Sequence, residues 1–154
     1  MSRQVRRVPA GWEHPLIEGE DEYQPMYDQS WEEAVAEWEE GLAKWNSGLT
    51  PYHNGRTLEW RTDDPDGNRQ FCAEWADYSP RSEDRGLYRP NWTREERTHF
   101  QFYEGVSEGT PISPVFPSLE ELAKWLEVNG HTIAGHTVDT REGWMERLKH
   151  LLCD

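Results

Sequence analysis

Nine tryptophans, six tyrosines and four phenylalanines determine the kind of core that this 154-residue chain can build. Other hydrophobic residues are scarce: the hydrophobic fraction is 34%, while charged residues make up 30%. That balance alone favours disorder. Each buried large aromatic side chain, however, removes roughly 150–250 Å² from water. We therefore predict an ordered core made of a few large rings, surrounded by long polar loops.

The length favours one compact domain over residues 1–154, because this is close to the commonest domain size. Residues 1–29 contain Pro9, Pro15 and Pro25, together with scattered apolar side chains such as Trp12. We predict that this segment is an extended N-terminal arm packed on the body.

Three helices are predicted from spacing and capping signals. Ser30 followed by Glu33 forms a capping box, and apolar residues then recur at helical spacing. These residues are Trp31, Val35, Trp38, Leu42 and Trp45. A second capping box at Ser118 and Glu121 begins a helix that ends at Asn129-Gly130, and a third helix is predicted over about 139–152.

The strands are predicted from alternation and turn residues. Leu58–Arg61 alternates, Asp64–Gly67 is a turn signal, and residues 71–75 alternate again, which predicts a hairpin. Residues 77–92 are predicted as a loop, His99–Tyr103 as a strand, and residues 106–117 as an extended segment packed on the core. The predicted fold class is α+β: a small antiparallel sheet with about three helices and long ordered loops.

The formal net charge is −14, and most of it lies in one segment. Residues 8–50 carry eleven acidic residues against Lys44 alone. This charge repels phosphates and anionic membranes, so we expect no direct contact with nucleic acid or membrane. It attracts basic protein surfaces instead, including the nucleic-acid channels of other proteins. The alternative interpretation is that the charge only keeps the protein soluble.

The first predicted helix carries five glutamates that lie mostly outside its apolar face. Its candidate residues for binding a protein partner are Glu32, Glu33, Glu37, Glu39 and Glu40. The partner expected from their charge is a host or defence protein with a basic surface. The oligomeric state is left open.

A second candidate site lies in the middle of the chain, where arginines alternate with aromatic residues. Arginine beside an aromatic face suits a nucleotide or phosphate ligand. The candidate residues are Arg56, Arg61, Arg85, Arg89, Trp92 and Arg97. The alternative is that these arginines pair with neighbouring acids and stack on tryptophans as part of the structure.

Metal sites are not expected, although two segments have suggestive residues. Asp63–Asn68 looks like a calcium loop, but Ala73 stands where the bidentate glutamate is needed. The side chains of His131, His136, His150 and Cys153 lack the spacing of a zinc site. We predict no cofactor.

Catalytic motifs are not recognised either. Ser107 and Ser113 stand outside a nucleophile-elbow frame, and Cys72 lies on a predicted strand where packing is its expected role. Neither a P-loop nor a dinucleotide-binding fingerprint occurs. We therefore expect a binding protein and not an enzyme. With two cysteines, no membrane-length apolar stretch and no signal-peptide core, the expected location is the cytoplasm.

Four segments resemble a family of small uncharacterised proteins of tailed phages and prophages. They are Arg6–Pro15 (RRVPAGWEHP), Glu95–Gln101 (EERTHFQ), Ser107–Val115 (SEGTPISPV) and Leu119–Leu126 (LEELAKWL). Ser107–Val115 is the most distinctive, whereas residues 46–90 are less typical of the family. The resemblance implies a phage origin, hence the host cytoplasm, and implies no catalytic activity.

These expectations combine into one functional hypothesis. An acidic phage protein without catalytic motifs is expected to act by stoichiometric binding, inhibiting a host or anti-phage defence protein, with nucleic-acid mimicry as a possible means. The alternatives are a protein that sequesters a nucleotide or other small molecule, and a structural component of the phage.

Overall fold

A computed structural model of the protein describes residues 3–105, 108–131 and 140–152. Its elements, in chain order, are β1 (Arg3–Val8), β2 (Tyr27–Ser30), α1 (Trp31–Asn46), β3 (Thr50–Asn54), β4 (Thr57–Arg61), α2 (Asn68–Phe71), α3 (Trp75–Tyr78), a 3-10 helix (Arg85–Leu87), β5 (Tyr88–Arg89), β6 (His99–Glu104), α4 (Leu119–Val128) and α5 (Arg141–Leu151). The predicted α+β class is confirmed. The described strands form three separate pairs, and the β2–β5 pair is parallel, whereas we predicted one antiparallel sheet.

The chain folds into two compact units. The terminal unit comprises Met1–Ser30 and Gly86–Asp154, and the middle unit comprises Trp31–Arg85. The expectation of one domain over residues 1–154 stays a prediction.

The core of the terminal unit lies between the β1–β6 pair and two helices. β1 and β6 are antiparallel, with Val5 opposite Phe102, and both side chains are fully buried. α4 contributes Leu122 and Leu126 to this core, and α5 contributes Trp144, which is 1% exposed. Thus β1, which falls within the predicted arm, is extended and supplies core residues.

The ends of α4 follow the predicted capping, and α5 begins with a cap that was not predicted. The Ser118 hydroxyl accepts a hydrogen bond from the Glu121 amide at 3.2 Å, and Thr140 does the same for Gly143 at 3.2 Å. Gly130 follows α4 with φ of 73°, a left-handed conformation that suits glycine after a helix. The predicted start of α5 at Asp139 lies outside the described residues.

The strand predicted over His99–Tyr103 is confirmed, and the predicted loop over residues 77–92 is more regular than expected. β6 (His99–Glu104) matches the predicted strand. In the described part of the 106–117 segment, bridges join Phe100 to Phe116 and Tyr103 to Pro111. The predicted loop over residues 77–92 contains the end of α3, the 3-10 helix and β5.

The middle unit contains the clearest error of the sequence analysis. The hairpin there pairs β3 with β4, and its turn is Gly55, with φ of 65°. The predicted return strand over residues 71–75 is wrong, because α2 ends at Phe71, α3 begins at Trp75 and the residues between them form no strand, while Phe71 is 83% exposed. The Asp64 carboxylate accepts hydrogen bonds from the Asn68 and Arg69 amides, the first two of α2, at 2.9 and 3.0 Å. It thereby satisfies donors at the start of α2.

The described parts of the chain, residues 3–105, 108–131 and 140–152, contain no helix that is both long and apolar enough to cross a membrane.

Candidate functional site

One side of α1 packs against the rest of the middle unit. Trp31, Trp38 and Trp45 recur every seven residues and therefore share one side of the helix. The Trp38 indole N–H donates to the Ser79 carbonyl at 2.7 Å, and the Trp75 indole N–H donates to the Trp38 carbonyl at 3.0 Å. Trp45 is 3% exposed. These contacts set the orientation of α1 in the unit.

The α1 acidic surface lies on the remaining circumference of this helix. Its five members are Glu32, Glu33, Glu37, Glu39 and Glu40, and all five are exposed. Glu40 forms an ion pair of 3.3 Å with Lys44, yet its side chain is still 69% exposed. The structure thus brings together all five residues predicted to bind a protein partner.

The charge on this surface is dense. Glu32 and Glu40 are eight positions apart, so the five carboxylates occupy about 12 Å of helix axis at about 1.5 Å per residue. One strand of B-DNA carries about one charge per 3.4 Å of its axis. The linear charge density of the α1 acidic surface is therefore comparable with that of a nucleic-acid strand.

Basic side chains of the middle unit lie against the tryptophans. The Arg81 guanidinium lies 5.1 Å from the Trp31 ring centre and 4.9 Å from that of Trp38. Arg85 lies 5.2 Å from Trp31, and the Lys44 ammonium lies 5.1 Å from Trp60. Such cation–π contacts stabilise by about 0.5–1 kcal/mol each at exposed sites.

The residues of the second candidate site fall in both units. In the middle unit, Arg56 is exposed beside the β3–β4 turn, and Arg61 forms a fork with Asp63 at 2.8 and 2.6 Å. This fork lowers the pKa of the Asp63 carboxyl. Arg85 stacks on Trp31 as described above.

The other three residues of that site lie in the terminal unit. Arg89 is 6% exposed, pairs with Asp28 at 3.0 Å and lies 5.6 Å from the Trp92 ring centre. Arg97 is half-buried. Arg89 and Trp92 are therefore in contact, and a shared ligand site for all six residues stays a prediction.

A groove of about 410 Å³ in the middle unit was missed by the sequence analysis. Trp38, Trp45, Trp75 and Arg69 are among its lining residues. The Arg69 guanidinium lies 4.2 Å from the Trp45 ring centre and donates to the carbonyls of Trp45 and Leu49. No rule of sequence spacing predicts that Arg69 stacks on a tryptophan of α1. The groove could therefore be recognised only from the tertiary structure.

The metal and nucleophile candidates are placed as follows. The Asp64 carboxylate accepts from the first two amides of α2, and His131 stacks on Trp125 with ring centres 5.2 Å apart. The Ser113 hydroxyl is buried, donating to the Pro114 carbonyl at 2.8 Å and accepting from the Phe102 amide at 2.9 Å. Cys72 is a free, half-buried thiol.

No three metal-ligating side chains converge within the described ranges. Ser107, His136 and Cys153 lie outside them.

A buried polar network in the terminal unit was also missed. The Trp12 indole N–H donates to the Tyr103 hydroxyl at 3.1 Å, and that hydroxyl lies 2.9 Å from His14 Nδ1. His14 Nε2 lies 2.5 Å from the Gln24 carbonyl, which can only accept. Nε2 therefore carries the proton, and Nδ1 accepts from the tyrosine hydroxyl. The Arg6 guanidinium lies 4.2 Å from the Tyr103 ring centre.

Burial controls the ionisation of this network. It raises the pKa of Tyr103 to about 12 and lowers the pKa of His14 below its usual 6.5. The positive charge of Arg6 lowers the pKa of His14 further, whereas the hydrogen bond to Gln24 opposes the shift. Both groups are therefore neutral near pH 7. Trp12 and His14 belong to the RRVPAGWEHP segment, but only the fold shows that they meet Tyr103.

The lowered pKa of His14 predicts a loss of stability in acid. Below pH 6.5 this histidine is mostly protonated in the unfolded chain but remains mostly neutral in the folded protein until the pH reaches its lowered pKa. The unfolded state therefore binds more protons. We expect the free energy of unfolding to fall as pH drops from 7.5 through 6.5 toward the lowered pKa of His14. Urea unfolding at several pH values measures this. His14→Gln should flatten the slope, whereas His53→Gln, at an exposed strand position, should leave it unchanged.

Comparison of the chain with protein-family models, with curated proteins and with solved structures found no match to any of them.

Proposed function

We propose that this chain is a phage accessory protein that binds a basic surface of a host or anti-phage defence protein stoichiometrically and inhibits it. The α1 acidic surface is the proposed contact. The observation that carries this proposal is the position of five exposed carboxylates on the side of α1 that faces away from its packed tryptophans.

Charge complementarity selects the kind of partner. A chain with a net charge of −14 repels nucleic acid but attracts a protein channel that binds it. The density of carboxylates along α1, comparable with that of a DNA strand, supports occupation of such a channel. Inhibition then follows because the acidic helix and the nucleic acid compete for the same basic residues.

The packing of α1 favours binding through pre-organisation. The indole hydrogen bonds of Trp38 and Trp75 hold the helix from its opposite side. The carboxylates therefore lie on a regular helix before any partner arrives, which reduces the ordering entropy lost on association.

The test is affinity capture from a lysate of the bacterial host with three forms of the protein. The first is the wild type, and the second, the α1-neutral variant, carries Glu→Gln at all five positions of the α1 acidic surface. The third is a matched control with the same loss of charge at exposed carboxylates outside α1. Its substitutions are E18Q, E95Q, E120Q, E121Q and E146Q.

We expect a basic host protein to be retained by the wild type and the matched control and lost from the α1-neutral variant. Equal retention by all three forms contradicts the proposal, and so does equal loss from both variants, because a general effect of net charge would then explain the binding.

A second candidate function is favoured by the groove in the middle unit. Trp45 and Trp75 are buried, so the half-buried Trp38 and the exposed Arg69 are the lining side chains proposed to meet a planar base and an anionic group. The protein would then sequester a nucleotide. A thermal-shift screen of nucleotides distinguishes this function, because a ligand at 100 times its Kd stabilises by about 2.7 kcal/mol.

A further inference from the structure

A second groove, in the terminal unit, has a volume of about 480 Å³. Its apolar part consists of Ile17, Tyr23 and Pro25. Its carboxylates are Asp21, Glu22 and Glu108, all of them exposed. We call it the 17–25/108 groove. None of its lining residues is a lysine or an arginine.

Both walls of this groove are held by backbone hydrogen bonds. One wall is a turn in which the Ile17 amide donates to the Glu22 carbonyl at 2.8 Å, with a bridge between Leu16 and Tyr23. The other wall is fixed because the Met26 amide donates to the Gly109 carbonyl at 3.0 Å. The groove therefore exists before any ligand binds.

Tyr23 is positioned by the buried network described above. Its ring meets that of His14 edge to face, with centres 5.6 Å apart, yet 46% of the residue remains exposed. One part of the ring is thus anchored on buried groups, while another part is open to a ligand in the groove.

We propose that the 17–25/108 groove binds an arginine side chain of a basic protein partner. The aliphatic stem of an arginine can lie on Ile17 and Pro25, as long basic side chains do on apolar surface. The guanidinium can then reach the carboxylates in a forked geometry and the Tyr23 ring as a cation–π partner. The inference rests on the proposed function in one respect, namely that the partner is basic.

The test is an NMR titration of the full chain with two short peptides. Acetyl-Gly-Arg-Gly-amide carries the cation, and the same peptide with citrulline has the same shape without the charge. We expect saturable shifts at the amides of Tyr23 and Thr110, with arginine binding about tenfold more tightly than citrulline, since charged forks exceed neutral hydrogen bonds.

Variants localise the effect. Glu108→Gln should weaken binding of the arginine peptide, whereas the matched control Glu120→Gln should leave its affinity unchanged. Equal binding of the two peptides overturns the proposal, as do shifts spread over all acidic residues or an unaltered affinity in Glu108→Gln.

The α1-neutral variant separates this inference from the proposed function. It should keep the arginine-peptide shifts while losing the host protein. If the peptide binds but that variant retains the host protein, the proposed role of α1 is wrong and the groove stands. If the variant loses the host protein and the peptide does not bind, the groove alone is wrong.

Discussion

Replacement of Gly109 by alanine is expected to lower the free energy of unfolding by about 3 kcal/mol, combining a left-handed backbone with a steric clash. Gly109 has φ of 62°, and an added Cβ would overlap the Met26 carbonyl oxygen and lie 2.9 Å from the backbone nitrogen of Met26. These are backbone atoms that also hold a wall of the 17–25/108 groove, so no flexible side chain can move aside. Urea unfolding followed by far-ultraviolet circular dichroism measures the change.

Gly130→Ala is the matched control for this substitution. Gly130 has φ of 73°, but an added Cβ there meets no atom within 4 Å. It therefore carries the backbone cost of about 1–2 kcal/mol without the clash. If the two variants lose the same stability, the close approach of Gly109 to Met26 contributes nothing and the described packing is wrong.

Replacement of Gly41 by alanine is expected to lower the free energy of unfolding by about 2 kcal/mol through overpacking. An added Cβ would overlap the six-membered part of the Trp75 indole, with the next two ring atoms at 2.8 and 3.0 Å. Trp75 is 7% exposed and donates to the Trp38 carbonyl, so it has little room to shift. The sign of the change in unfolding free energy tests the packing, because glycine-to-alanine replacement in a helix without such a contact stabilises it by about 1 kcal/mol.

Gly11→Ala provides the comparison for this second substitution. An added Cβ at Gly11 would meet no atom within 4 Å. The free energy of unfolding of the Gly11→Ala variant should therefore change little. Increased stability of Gly41→Ala would show that α1 does not pack on Trp75. Fluorescence of the tryptophans, recorded during unfolding, reports on the same contact.

The long helices were predictable because their signals are local. The seven-residue recurrence of Trp31, Trp38 and Trp45 and the capping serine at 118 depend only on neighbours in sequence. The same local spacing places the five glutamates of α1 away from the tryptophans. The acidic surface could therefore be predicted residue by residue.

The hairpin shows where prediction from local sequence patterns fails. Residues 71–75 alternate like a strand, but Phe71 ends α2, whose first two amides donate to the Asp64 carboxylate, and Trp75 begins α3. The Asn54-Gly55 pair, a strong turn signal, marks the actual hairpin and was overlooked.

The two grooves and the buried network could not be predicted, for a different reason. Tyr103 lies about ninety positions from Trp12 and His14, and Gly109 meets Met26 across the fold. Only long-range packing brings these residues together. The composition did indicate a core of large rings, and Trp144, Phe102 and Tyr103 are buried as that expectation required.

The central claim, that α1 binds a basic protein surface, is tested most directly by measuring the affinity of the captured host protein. Calorimetry with that purified protein compares wild type, the α1-neutral variant and the matched control at low and moderate salt. We expect the α1-neutral variant to bind at least about tenfold more weakly, a loss of about 1.4 kcal/mol. The control should remain near the wild type, and wild-type affinity should fall with salt. Equal affinities of the two variants, or an affinity independent of salt, would contradict the claim.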